Sequence, residues 1–242
     1  MGYSKKRKAS KGRYEKTGRK KTISKGLPPS KASMEKLLKE GGLKVTPAKL
    51  TKLWRFHQLL RKYDKELDLT RLKNFQTMVI KHYLDSLYIR KLVKLQGPLV
   101  DIGTGAGFPG IPLMIFTPSL EIILAEKRKK RVQFLEIACK ELELGGQIYP
   151  HSVHKDFPIP VQGVITRAVE SMEETLEKAE AFLPVGGRVY FMKGPHYHKE
   201  LERCKSLFQN QFEICCLEEY TLPHTDHRRS LIVFQKKKDK TL

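Results

Sequence analysis

The stretch VDIGTGAGFPG, Val100 to Gly110, restricts the fold more than any other part of the chain. A short apolar run, PLVDI, stops at glycines and gives way to a helical pattern, which is how a buried strand hands over to its crossover helix. The runs EIILAE, QIYPHS, GVITRAV, RVYFMKG, FEICCL and SLIVFQ follow, rich in Val, Ile and aromatics. Helical patterns lie between the first of them, and in KRKKRVQFLEIACKEL the residues Val132, Leu135, Cys139 and Leu142 keep to one face. Strands alternating with helices predict an α/β fold with a mostly parallel sheet covered on both sides. The short connection between the last two runs predicts an antiparallel edge.

Before Pro98 the texture is helical. KASMEKLLKEGG reads as a short amphipathic helix stopped by Gly41 and Gly42. TPAKLTKLWRFHQLLRKYDKEL opens with Thr46 as a cap and Pro47 at the first helical position, and Leu50, Leu53, Trp54, Leu60 and Leu67 mark one apolar face. A third helix is expected from about Asn74 to Leu95, with Phe75, Met78, Val79, Leu84 and Leu87 turned inward. Residues 31–96 thus form a helical cap on a sheet domain over residues 97–242.

Charge separates a further segment. The formal net charge is +21, of which residues 1–30 carry +10, with Glu15 their one acid, and the tail after Gln235 carries +3. Residues 1–30 are too poor in apolar side chains to fold alone and are expected to form a disordered basic arm. So dense a positive charge suits a polyanion; the plainer reading is a solubilising tail. No apolar run reaches the roughly 18 residues of a membrane span, and the lysine-rich start lacks a signal peptide's apolar stretch. Cys139, Cys204, Cys215 and Cys216 show no CxxC spacing and are expected to be reduced core thiols, the adjacent pair pointing to opposite faces of a strand. A cytoplasmic monomer without a metal site is the expectation.

The glycines offer two registers. A literal G-x-G-x-x-G runs from Gly105 to Gly110, but with the strand ending at Ile102 the turn begins at Gly103, so Gly103, Gly105 and Gly107 are the glycines in position. Pro109 is expected to hold Phe108 extended, and it removes one N–H from the wall that a pyrophosphate needs at a helix start. Glu126 closes the second strand nineteen residues after Gly107, where a carboxylate can accept from ribose hydroxyls. A glycine turn with a strand-end acid describes S-adenosylmethionine sites as well as NAD sites. A purely structural tight turn is the third reading.

With DLT at Asp68 to Thr70, KHYLDSL, VDIGTGAGFPGIPL, KRVQFLE, VITRAVES and FMKG in this order, the chain from about Lys31 to Gln235 resembles the bacterial 16S ribosomal RNA guanine-N7 methyltransferases, the family also called glucose-inhibited division protein B. The resemblance implies a Rossmann-like methyltransferase fold, S-adenosylmethionine as cofactor and 16S rRNA or the small ribosomal subunit as partner. It implies that Gly103 and Phe108 contact the cofactor, that Glu126 holds its ribose and that Arg167 lies near it. His154 and Lys155 fall where the family's backbone and an acidic residue meet the adenine. The chain departs from the pattern at Lys155, commonly an acid, and at Asp68, usually Asn.

For RNA contact the candidates are Arg167, Lys193, Arg228 and His82. Arg167 has a plainer reading as a strand-end arginine paired with an acid, and Lys193 and Arg228 as solvated surface cations. His82 and Asp85, three apart on one helix, are expected to meet above the glycine turn, either shaping the RNA side of the pocket or anchoring the cap. Transfer to guanine N7 requires no general base, so no catalytic residue is assigned. Two other classes fit parts of the sequence: a non-catalytic RNA-binding protein, and an NAD-dependent oxidoreductase, against which Pro109 argues.

Overall fold

The computed structural model describes residues 26–238, so the arm expected over residues 1–30 lies outside them up to Lys25, as does the tail beyond Lys238. All seven apolar runs form strands of one sheet: β1 (Leu99–Ile102), β2 (Ile122–Ala125), β3 (Gln147–Tyr149), β4 (Gly163–Arg167), β5 (Arg188–Lys193), β6 (Phe212–Thr221) and β7 (Arg228–Lys236). Their order is β3-β2-β1-β4-β5-β7-β6. The first five are parallel; β7 runs antiparallel to β5 and to β6, as the short final connection requires. The order reverses between β1 and β4, and in open α/β sheets ligands bind outside the carboxyl ends of the strands at that point.

β1 and β2 are buried along their whole length, as expected of strands covered on both faces. On one face lie α1 (Lys31–Glu40), α2 (Pro47–Leu67), α5 (Gly110–Phe116) and α6 (Lys129–Glu141); the other is covered by α7 (Met172–Phe182) and α8 (His198–Leu207). The helices before Pro98 share one continuous apolar cluster with α5, α6 and the sheet, with Leu53, Phe56 and Tyr83 packed beside Ile111, Phe116 and Phe134. α2 starts as its sequence predicts: Thr46 Oγ1 accepts from Lys49 N–H and Pro47 sits in the first turn. Lys49 and Lys52 then donate to Phe116 O and Leu142 O, the terminal carbonyls of α5 and α6. Cations at helix C-termini are favourable there.

The third helix differs from its expected form. Residues 75–91 are helical, but α3 (Phe75–Met78) passes into a π turn (Val79–Leu84), then α4 (Asp85–Tyr88) and a 3-10 turn (Ile89–Lys91), stopping four residues short of Leu95. Such insertions recur at functional sites, and this one carries His82. The cysteines also need correction. Cys139 and Cys204 are buried, but Cys215 is exposed and Cys216 only half-buried. β6 has an extra residue here, since Ile214 pairs with Phe234 and Cys216 with its neighbour Val233. The bulge moves Ile214 and Cys216, two apart, onto opposite apolar layers. No helix of the described residues is long and apolar enough to cross a membrane.

Phe56 is the aromatic through which α2 reaches the site. It is fully buried, with ring centroids 5.3 Å from Phe108, 5.9 Å from Tyr83 and 6.2 Å from Phe134. Phe56→Ala is expected to destabilise the fold by about 3–5 kcal/mol, the cost of a large buried aromatic truncation. Urea denaturation measures it, and a loss below about 1 kcal/mol contradicts this packing.

Candidate functional site

Outside the ends of β1, β2 and β4 lies a cavity of about 600 Å³ lined by 22 residues, which include Gly103, Gly105, Phe108, Glu126, His154 and Arg167. That volume suits a ligand of nucleoside size. The turn that forms its floor is built from β1 outward. Asp101, fully buried in an otherwise apolar strand, accepts through Oδ2 from the Thr104 hydroxyl at 2.6 Å and from Gly110 N–H at 2.8 Å. One carboxyl group therefore ties the strand, the turn and the first residue of α5. Gly103 has φ +65°, a left-handed conformation, and its Cβ position lies 2.6 Å from Val169 Cγ1, so any side chain there is strained and crowded.

The start of α5 bears directly on the ligand. Gly110 N–H is taken by Asp101, Ile111 N–H by Gly107 O at 2.8 Å, and Pro109 and Pro112 have none. A pyrophosphate would find no free donor there, only a buried acid. Phe108 closes the turn, its N–H donating to Thr104 O at 2.9 Å. Gly107, φ +90°, does not line the cavity; its Cβ position would meet Ile111 Cδ1 at 2.5 Å, so it serves the packing of the turn on α5.

Glu126 follows β2 and is buried, with Oε1 accepting from Arg128 N–H at 2.9 Å and Oε2 lying 3.5 Å from Arg131 Nη1. His154 lines the cavity, but Lys155 does not: its ammonium pairs with Glu177 of α7 at 2.8 Å. The departure of Lys155 from the acidic pattern thus falls on a side chain turned away from the cavity. Asp68 ends α2 in a left-handed conformation, φ 50° and ψ 58°, which Asn and Asp both tolerate.

At the other end of the cavity, His82 and Asp85 do not meet. The His82 ring stacks on Phe108 with centroids 4.6 Å apart, and its Nε2 lies 2.9 Å from Thr70 Oγ1. Burial, and then the Arg167 cation, push the imidazole down to about 3, so His82 is neutral at physiological pH. Asp85 instead binds two arginines, Arg167 Nη1 at 3.3 Å and Arg229 Nε at 3.3 Å. Arg167 also donates to Lys81 O at 3.2 Å, and its guanidinium carbon lies 5.7 Å from the Phe108 ring centroid. Asp85 is therefore an anchor between cap and sheet, acting through β4 and β7. Arg228 is exposed, and its neighbour Arg229 makes the contact. Lys193 does not itself line the cavity; it is bonded to Glu200 at 3.0 Å and to the backbone oxygen of Glu170, which does.

Sequence reasoning missed Asp101 and Arg229. An acid inside PLVDI, next to the glycines, was the available signal for the first. Nothing in RRSLIVFQ marks which arginine faces the cap.

Burial raises the Asp101 carboxyl from 3.8 to about 7, and the Thr104 and Gly110 hydrogen bonds oppose the rise. The folded chain keeps a proton that the unfolded chain gives up, so this group's stabilisation is complete below about pH 4 and is lost as pH rises through 7. His57 and His82, lowered to about 4 and about 3, act with opposite sign: their contribution is present above about 6.5 and is lost on acidification. Asp101→Asn keeps an acceptor for Thr104 and Gly110 but cannot titrate. Between about pH 4.5 and 6 its stability should rise with pH more steeply than the parent's, by roughly 1 kcal/mol per pH unit. Denaturant midpoints across that range test this, and parallel profiles would contradict it.

A family model described as rRNA small subunit methyltransferase G matches residues 49–232. Ribosomal RNA small subunit methyltransferase G 2 of Syntrophobacter fumaroxidans is 44% identical over 209 residues, which are 86% of this chain but only 42% of that protein. The chain therefore spans less than half the length of that relative. The protein of the same name from Bdellovibrio bacteriovorus is 40% identical over 82% of this chain and 78% of its own length. Ribosomal RNA small subunit methyltransferase G of Alkaliphilus oremlandii is 31% identical over 84% and 90%. Among solved structures, P. horikoshii TYW2 in complex with MeSAdo aligns with TM-score 0.51 at 14% identity, covering 65% of this chain and 63% of that one. Geranyl diphosphate methyltransferase in complex with GPP and sinefungin aligns at 0.50 and 15% identity, covering 62% and 77%. These structural likenesses show the Rossmann-like methyltransferase fold. With the family model covering most of its length and relatives aligned across the glycine turn, the chain belongs to the rRNA small subunit methyltransferase G family.

Proposed function

We propose that this chain methylates N7 of a guanine in the 16S RNA of the small ribosomal subunit, with S-adenosylmethionine as methyl donor. The observation that carries the reading is the cavity: a glycine turn without free helix N–H groups faces a strand-end carboxylate, in a chain of this family. Glu126 has the position to accept from ribose hydroxyls. Gly103 and Gly105 leave bare backbone against which a ligand can lie. The occupied start of α5 weighs against an NAD-dependent oxidoreductase, which needs that helix end for a pyrophosphate. The cavity itself weighs against RNA binding without catalysis.

The cofactor supplies an electrophilic methyl group on a positively charged sulfur. Guanine N7 offers an unprotonated lone pair in the ring plane, on the major-groove edge, and needs no base. The work left to the chain is alignment, which proximity and orientation can supply to the extent of about 7–11 kcal/mol. Electrostatics at the closed end of the cavity agree. His82 stays neutral, and the Arg167 guanidinium is fixed on Asp85, which it shares with Arg229, and on Lys81 O, so it is held by its partners and not turned loose against a cationic donor.

Small subunits or free 16S rRNA incubated with labelled S-adenosylmethionine test the reading. We expect label in RNA, mapped to 7-methylguanine; label at another atom, or none from a folded sample, overturns it. Gly103→Val forces a β-branched residue to positive φ beside Val169 and should abolish measurable cofactor binding while leaving RNA affinity within about twofold. Deleting residues 2–25, which spares the Ser30 cap of α1, should weaken RNA binding and flatten its salt dependence by several units of slope. An unchanged slope contradicts a role of the arm in RNA binding.

A further inference from the structure

The mouth of the cavity is electrically lopsided. On one wall, the end of α2 and the loop after it present Lys62, Lys65 and Arg71, and the first turn of α6 presents Lys129 and Lys130; all five are exposed. Their neighbours Arg61, Lys73 and Arg131 are engaged by Asp64 and Glu126, whereas these five have no ion pair among the described residues. The two segments touch, since Lys130 Nζ donates to Glu66 O at 3.4 Å, and they frame the cavity through Leu69, Lys127 and Arg128. On the other side α7 gives only Lys178 to the lining, bonded to Glu170 at 2.6 Å, and the cations around this helix are already paired, Lys155 with Glu177 and Arg203 with Glu173.

A separate observation places the arm's root on the basic side. Leu27 N–H donates to Gln76 Oε1 at 3.4 Å, and the Cβ position of Gly26 lies 3.6 Å from the same atom. The segment before it, with eleven Lys and Arg, thus joins the body a few residues from Arg71.

We propose that RNA reaches the cavity across this α2–α6 ridge, with its phosphates on the unpaired lysines and on the arm, since the cations beside α7 are already neutralised by carboxylates. The inference rests on the reading of the substrate as RNA and adds the direction of approach. Field and position agree: unpaired cations beside a site attract a polyanion more strongly than cations already paired with carboxylates. Lys193, tied to Glu200, takes no part.

Filter binding of transcribed 16S rRNA, across a salt series, tests the ridge in the full chain. Lys62, Lys65, Lys129 and Lys130 are changed together to Gln, and a control variant of equal charge changes Lys44, Lys91, Lys94 and Lys199, exposed elsewhere. The ridge variant should bind about tenfold or more weakly near 0.1 M salt, with a slope smaller by roughly three to four, one unit or slightly less per lost phosphate contact. The control should stay within about twofold. Heat of S-adenosylmethionine binding, unchanged in both, reports that they are folded. A ridge variant that keeps the parent's slope, or loses no more than the control, overturns the inference. Methyl transfer by the parent separates the two readings: transfer with an indifferent ridge sinks the ridge alone, and a ridge effect without transfer sinks the methylation reading alone.

Discussion

The carboxyl group of Asp101 holds together the three segments from which the site is made. It belongs to β1, receives the Thr104 hydroxyl from the turn and receives the first N–H of α5. An acid without exposure is tolerable only where hydrogen bonds compensate its desolvation. Here two such bonds also fix the path between strand and helix. Because both ends of the turn are referred to one group in the rigid centre of the sheet, Gly103 and Phe108 face the cavity in a fixed relation. The same bond, with Pro109 and Pro112 beside it, removes the donors that would make the helix end a phosphate site. A turn that looks generic in sequence is thereby specialised against pyrophosphate.

The cap completes the site from the other side. Phe56 and Tyr83 pack on Phe108 from α2 and the π turn, and His82 stacks on the same ring. Asp85 draws Arg167 of β4 and Arg229 of β7 toward the cap, so one buried acid joins helices and sheet beside the cavity. Asp101 and Asp85, two of the buried carboxyls, divide the labour: Asp101 shapes the floor, and Asp85 restrains the cation at the far end. Breaking a buried pair of the second kind leaves an uncompensated charge, which costs far more than a surface pair.

Much of this arrangement was legible before any coordinates. Strand positions follow from short apolar runs, and the end of the first strand decides which glycines matter; both Gly103 and Glu126 are found where that reasoning puts them. Thr46 and Pro47 announce α2. What failed has physical causes. The apolar spacing of Phe75, Met78, Val79 and Leu84 fits an ordinary helix, so a π turn leaves no trace in it, and the turn changes where His82 and Asp85 point. Adjacent arginines on a strand face opposite sides, and without the register nothing marks Arg229 as the one that reaches Asp85 while Arg228 stays exposed. The bulge at Cys215 is a property of pairing with β7, not of β6 alone. Lys155 reads as a neighbour of the adenine and Lys193 as an RNA contact or a solvated cation, and the spacing gives no sign that Glu177 and Glu200 engage them.

The central claim is that this cavity, floored by the Asp101-tied turn, holds an S-adenosyl nucleoside by its ribose. Calorimetric titration of S-adenosylhomocysteine, the demethylated product, into the parent chain and into Glu126→Ala tests it most directly. The account predicts saturable binding at one site in the parent and binding weaker by about tenfold or more in the variant, the loss of a hydrogen bond to a charged group. No heat from a folded parent chain, or tighter binding of NAD than of the S-adenosyl compound, would contradict it.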